Sequence, residues 1–147
     1  MDISNPQKFF EDFPRLNKFP YPFNITSPFD VKYNCIAWVV GVNNRWWGPY
    51  HVWPQGCPRE TTISAFVQAF AALGYEPCND GRRERGYEKV ALYAKENKPM
   101  HASKQLINGR WTSKLGQDID IEHKVKDLEG QCYGKVAMYF RRPMQKL

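Results

Sequence analysis

The sequence predicts an α+β fold, with N-terminal helices packed on a mostly antiparallel sheet. Three observations carry that prediction. Thr61 to Leu73 places Ile63, Phe66, Val67, Phe70 and Leu73 at the i, i+3, i+4, i+7 spacing of one helical stripe. From Lys89 to Phe140 the apolar residues alternate instead, and Asn108-Gly109 separates two such runs as a hairpin signal. Ahead of both, Asn34-Cys35 opens a short apolar run that Gly41 closes, the capping pattern of a short buried helix. With 147 residues the chain can bury about two thirds of its unfolded surface in one domain, so residues 1–147 are read as a single unit.

The elements follow in order. Residues 1–32 hold Phe9, Phe10, Phe13, Phe19, Phe23 and Phe29 among Pro6, Pro14, Pro20, Pro22 and Pro28. Prolines at that density prevent a long helix or a central strand. Rings at that density are costly to leave in water, so the segment reads as an irregular arm packed onto the core. Asn43 to Pro54 is marked as loop by Gly48 and Pro49, yet it carries Trp46, Trp47, Trp53 and His51. Such rings either line a substrate groove, with Trp47 and Trp53 as its wall, or complete the core. Thr61 or Thr62 caps the 61–73 helix and Gly74 stops it. Lys89 to Ala94 is a strand with Val90, Leu92 and Ala94 on one face, and Asn97-Lys98-Pro99 turns the chain into Met100 to Ile107. A two-residue type I′ turn at Asn108-Gly109 then returns it as Arg110 to Leu115. That loop length sets Gln105 opposite Thr112, Ser103 opposite Lys114 and His101 opposite Gly116, a polar face lying in solvent or in a cleft. Gly116 to Glu122 reads as loop or short edge segment, His123 to Leu128 as a helical turn, and Gly134 to Phe140 as the closing strand.

Composition removes several function classes. The net charge is +6 and the pI about 9.2, but the basic residues are scattered among acidic ones. Ordinary solubilising charge is the plainer reading and attraction to a polyanion the sharper one. No stretch approaches the length of a transmembrane helix, and Met1 to Phe10 lacks a basic start followed by an apolar run. The expected address is the cytoplasm, with export by a signal-independent route left open and no membrane partner. Cys35, Cys57, Cys78 and Cys132 contain no CxxC pair, which argues against a zinc knuckle. His51, His101 and His123 show no HxH, HxxxH or HExxH spacing, so no metal and no other cofactor is expected.

One constellation points to chemistry. Cys35 falls in the first turn of its helix, where unpaired N–H groups and the helix dipole favour a thiolate. A buried structural cysteine is the plainer alternative at that position. A nucleophile needs a base, and His101 lies at a strand start in the β half. The base needs an orienting group; Asp118, Asp120 and His123 lie on the following segment, with Asp120 first because a carboxylate fixes the tautomer and stabilises the imidazolium. Gln105 shares the His101 face and is a candidate substrate contact.

A cysteine at a helix start, then a histidine on a strand, then a polar residue resembles the papain-like superfamily, nearest to its small NlpC and CHAP branches. The resemblance implies a cysteine peptidase or amidase with a peptide or amide substrate, Cys35 as nucleophile, His101 as base, and Asp120 or His123 as orienter. The phrases YNCIAW from Tyr33, RWWGPY from Arg45, GYEKVALYA from Gly86, HASKQL from His101, NGRWTSKLG from Asn108 and DIEH from Asp120 also resemble a family of uncharacterised small bacterial proteins, over about Thr26 to Pro143. The competing expectation is a non-catalytic module that uses basic charge with Trp46, Trp47, Trp53 and Trp111 to bind a protein partner or, less favoured, nucleic acid.

Overall fold

The structure, a computed structural model, describes residues 6–27, 48–50, 52–115 and 120–144. Cys35 with its helix, and Trp46, Trp47, His51 and Asp118, lie outside the described residues. The elements are α1 (Pro6–Asp12), a 3-10 turn at Pro14–Leu16, β1 (Asn24–Ser27), α2 (Ile63–Ala72), β2 (Glu76–Cys78), β3 (Tyr87–Lys95), β4 (Lys98–Gln105), β5 (Trp111–Lys114), β6 (Asp120–His123), a second 3-10 turn at Val125–Leu128 and β7 (Lys135–Pro143). The strands form one sheet in the order β1-β6-β5-β4-β3-β7-β2, and every recorded pairing is antiparallel. The fold is therefore mixed α and β, one seven-stranded antiparallel sheet with few helices.

Its helix stripe explains how α2 sits. Thr62 Oγ1 accepts the Ala65 N–H at 3.1 Å, a side-chain N-cap, and Gly74 leaves the helix in the left-handed region at φ 92°. Ala65, Phe66, Ala69 and Phe70 are buried, and the last three pack with Val90, Leu92, Ala102 and Phe140 of the sheet. The Phe70 ring meets Phe140 at 5.0 Å and Tyr75 at 5.8 Å. Trp53 belongs to the same layer and gives its indole N–H to the Pro58 carbonyl at 3.0 Å.

The opposite face is covered by the arm. Phe9, Phe13, Leu16 and Phe23 pack with Ala91, Tyr93, Trp111, Ile121 and Leu128. The arm is more regular than its prolines suggest, because Pro6 and Pro14 occupy first-turn positions, where the missing N–H costs nothing.

Two turns differ from the sequence expectation. Asn108-Gly109 does not form a type I′ turn, since that turn needs positive φ at both central residues and only Gly109 has it, at 86°. The Gly109 N–H bonds the Leu106 carbonyl at 3.0 Å, the Leu106 N–H bonds the Arg110 carbonyl at 2.7 Å, and Asn108 Oδ1 accepts the Arg110 N–H at 2.9 Å. The loop is thus three residues long, and the register moves by one: Gln105 faces Trp111 and Lys104 faces Thr112. A slip of one sends each β5 side chain to the other face. The tight two-residue turn lies instead between β3 and β4, where Glu96 and Asn97 both adopt positive φ and Lys95 pairs with Lys98. The segment expected as loop or edge contains β6, which is internal, between β1 and β5.

Candidate active site

Pleating and register decide which polar residues meet. Tyr93 pairs with His101 and Ala91 with Ser103; Gln105 pairs with Trp111; Trp111 pairs with His123 and Ser113 with Ile121. Directly opposed residues share a face and alternate along each strand. Tyr93, His101, Ser103, Ser113 and His123 therefore occupy one face, beneath the arm, and all five are buried.

Four of them form a hydrogen-bonded chain whose proton directions can be worked out. His123 Nδ1 lies 2.6 Å from the Lys124 carbonyl, which can only accept, so Nδ1 carries the proton. Burial holds this imidazole down to about 4, the Lys124 bond and the Glu122 charge only partly opposing, so at neutral pH Nε2 is an acceptor. Ser113 Oγ, 2.6 Å from Nε2, must then donate to it. Ser103 Oγ, 2.6 Å from Ser113 Oγ, has only its own proton to place between them. Tyr93 donates to the Val125 carbonyl at 2.5 Å and touches Ser103 Oγ at 3.2 Å. Every proton along Ser103, Ser113 and His123 is assigned. This row is a satisfied polar network that ties β4, β5 and β6 to the chain after β6.

His101 differs. It has no exposed surface, and neither ring nitrogen has a hydrogen-bond partner among the described residues. Its ring lies flat on Tyr133, centroids 4.1 Å apart and planes 2° apart, and tilted against Tyr93 at 5.4 Å. Burial, with a smaller contribution from His123, pushes its pKa well below the ordinary histidine value, so it is a neutral imidazole at pH 7. Two buried nitrogens without a partner among the described residues cost on the order of 1–3 kcal/mol each. Buried polar groups left in that condition are rare in native proteins, which singles out this imidazole as a candidate for a catalytic role.

The residues expected beside His101 are placed as follows. Asp120 is buried but pairs with Lys114, and this register puts both on the opposite face of the sheet from His101. His123 shares the His101 face, with both nitrogens engaged by Ser113 and Lys124. Gln105 shares that face too, and its amide donates to the Gly81 carbonyl at 2.7 Å, tying β4 to the loop after β2. Trp53, expected in a groove wall, is 6% exposed within the α2 layer, and Trp111 is 2% exposed. Cys35 and Trp47 lie outside the described residues. Sequence reasoning passed over Ser113 because the register was set one residue off, and over Tyr93 because its strand was read by the other face. Tyr133 carried no signal, being a lone aromatic in a short Gly-bounded segment. Among the described residues no group of three or more histidine, cysteine or acidic side chains could hold a metal. Also among them, no helix is long and apolar enough to cross a membrane.

Fold and site together define a single-sheet α+β domain with a buried, polar, imidazole-bearing face. The chain belongs to the family described as Domain of unknown function (DUF7689), whose profile matches residues 24–141. The match starts at β1 and takes in every residue of the His101 face. No curated protein matches the chain, and no solved structure does.

Proposed function

We propose that the protein is a papain-like cysteine hydrolase or acyltransferase acting on amide or peptide bonds, with Cys35 as nucleophile and His101 as base. The observation that supports it is the His101 imidazole, neutral, fully buried and without a hydrogen-bond partner at either nitrogen among the described residues. A neutral imidazole has a ring nitrogen able to receive a thiol proton, and this one has no bond among the described residues to give up first.

In this reading the Cys35 Sγ–H bond gives its proton to His101 and the sulfur attacks the substrate carbonyl carbon. The His101 proton passes to the leaving nitrogen as the C–N bond breaks, leaving a thioester on Cys35. Water, losing a proton to His101, then cleaves the C–S bond and restores the thiol; an amine in its place gives acyl transfer. Backbone N–H groups at the start of the Cys35 helix are the proposed oxyanion donors. Because Asp120 faces away and His123 is engaged elsewhere, the reading rests on the Cys35–His101 pair rather than a full triad.

Cysteine-selective alkylation tests it. Cys57, Cys78 and Cys132 are half-buried, and burial raises the Cys78 and Cys132 thiols. Iodoacetamide at pH 7, followed by peptide mass analysis, is expected to modify Cys35 at least about tenfold faster than the other three, an advantage that His101→Ala removes. Equal rates at all four cysteines would sink the hydrolase reading. Salt-sensitive retention on heparin would then favour the alternative, a basic binding module for a protein or nucleic-acid partner. That module lacks Trp53 and Trp111 as stacking surfaces, since both are buried.

A further inference from the structure

The segment that follows the second 3-10 turn has an unusual construction. Gly130 and Gly134 bond each other in both directions, N–H to carbonyl at 3.0 and 2.8 Å, pinching Gln131, Cys132 and Tyr133 into a closed strap. Gly134 holds the strap against β3. At φ 76° a Cβ added there would lie 2.0 Å from the Ala94 carbonyl oxygen, so glycine alone fits. The strap therefore has one seating on the sheet, and what that seating delivers is the Tyr133 ring, flat on His101. Tyr133 also meets Phe13 of the arm at 5.3 Å and Tyr93 at 6.4 Å, so its own plane is fixed from two further sides.

With no hydrogen bond to either nitrogen among the described residues, the His101 imidazole has nothing polar there to set its rotation about χ2, a torsion that is broad for aromatic rings. A base must nevertheless present one nitrogen in a defined direction. Stacking replaces the hydrogen bond here: a parallel ring at 4.1 Å fixes the imidazole plane without engaging either ring nitrogen. We infer that Tyr133 is the positioning residue of His101, holding the plane of the base through the Gly130–Gly134 strap in place of an orienting carboxylate. The inference rests on the hydrolase reading for its purpose and on the stack for its physics, and these separate experimentally.

The test compares Tyr133→Phe, which keeps the ring, with Tyr133→Leu, which removes it, in the full chain. Proton NMR of the histidine side chains reads the stack directly, because a parallel aromatic ring moves the His101 ring protons upfield. The wild type and Tyr133→Phe are expected to show that displacement and Tyr133→Leu to lose it. Iodoacetamide at pH 7 reads the consequence: Cys35 alkylation should slow by about tenfold in Tyr133→Leu and stay within about twofold of wild type in Tyr133→Phe. His101 protons unmoved by Tyr133→Leu, or moved with no change in the Cys35 rate, would overturn the positioning role while leaving the hydrolase reading standing. A wild-type Cys35 no faster than the other cysteines would overturn both, with the upfield displacement still reporting the stack.

Discussion

The two faces of the sheet are built on different terms. Beneath α2 the central strands present Val90, Leu92, Ala102 and Phe140 to a helix stripe of Ala and Phe, and the contacts are ring against ring and methyl against ring. Beneath the arm the same strands present Tyr93, His101, Ser103 and Ser113, with His123 from β6, at equal burial. The α2 face minimises free energy by removing apolar area from water, at roughly 25 cal/mol per Å². The arm face spends part of that gain on groups that water would have solvated well. Four of its residues recover the loss through hydrogen bonds, and His101 finds no partner among the described residues. Where α2 covers the sheet the contacts are apolar, and where the arm covers it they include a polar row.

Breaking the α2 face should have the largest effect. Phe70→Ala removes a ring with no exposed surface that touches Phe66, Tyr75 and Phe140. The expected loss is about 3–5 kcal/mol in urea-induced unfolding followed by circular dichroism. Because the defect is apolar, that loss should be the same at pH 7 and pH 5.

Acid should single out the arm face. An unfolded histidine titrates near 6.5, while folded His123 is held to about 4 and His101 well below its ordinary value, mainly by burial in each case. Between those limits the unfolded chain binds protons that the native chain refuses, so stability falls as pH falls. The contribution is complete above about pH 6.5 and is lost progressively toward pH 4 for His123, reaching about 3 kcal/mol for that residue. His101 extends the loss in the same direction. Urea unfolding at pH 7, 6, 5 and 4.5 checks it; a flat profile would mean that water reaches these rings. Phe70→Ala should shift the profile down without changing its slope, which separates the two faces in one data set.

How far each face was legible follows from the same contrast. The α2 stripe was readable because period and capping agree: Ile63, Phe66 and Phe70 fall on one side, and Thr62 and Gly74 lie where caps belong. Strand identities for 89–94 and 134–140 came from alternation alone. What failed was register, which a single turn decides. Asn108-Gly109 suits both a two-residue type I′ loop and a three-residue loop with glycine last, and the Asn108 side-chain bond to Arg110 stabilises the longer form. That one-residue difference moved Thr112 and Lys114 off the His101 face and put Ser113 on it. The His101 position was readable as a candidate because few histidines exist in the chain. Its stack was not, since Tyr133 reaches it through a strap defined by long-range packing on Ala94.

The smallest expected effect is the most informative about the comparison, because its sign differs between the faces. His101→Leu replaces an imidazole with no hydrogen-bond partner among the described residues by an apolar side chain of similar volume. It removes the desolvation cost of two polar atoms and loses a stack on Tyr133 worth about 0.5–1.5 kcal/mol. The balance favours the variant by about 1 kcal/mol at pH 7, and the gain should widen on acidification because one of the two buried imidazoles is gone. A stabilising mutation at a buried polar position is the signature of a residue kept for activity, and Cys35 alkylation should lose its advantage in the same variant. Urea unfolding decides the point. A loss of about 2 kcal/mol or more would mean that the His101 nitrogens are bonded in solution, and the arm face would then be, like the α2 face, a structure maintained for its own stability.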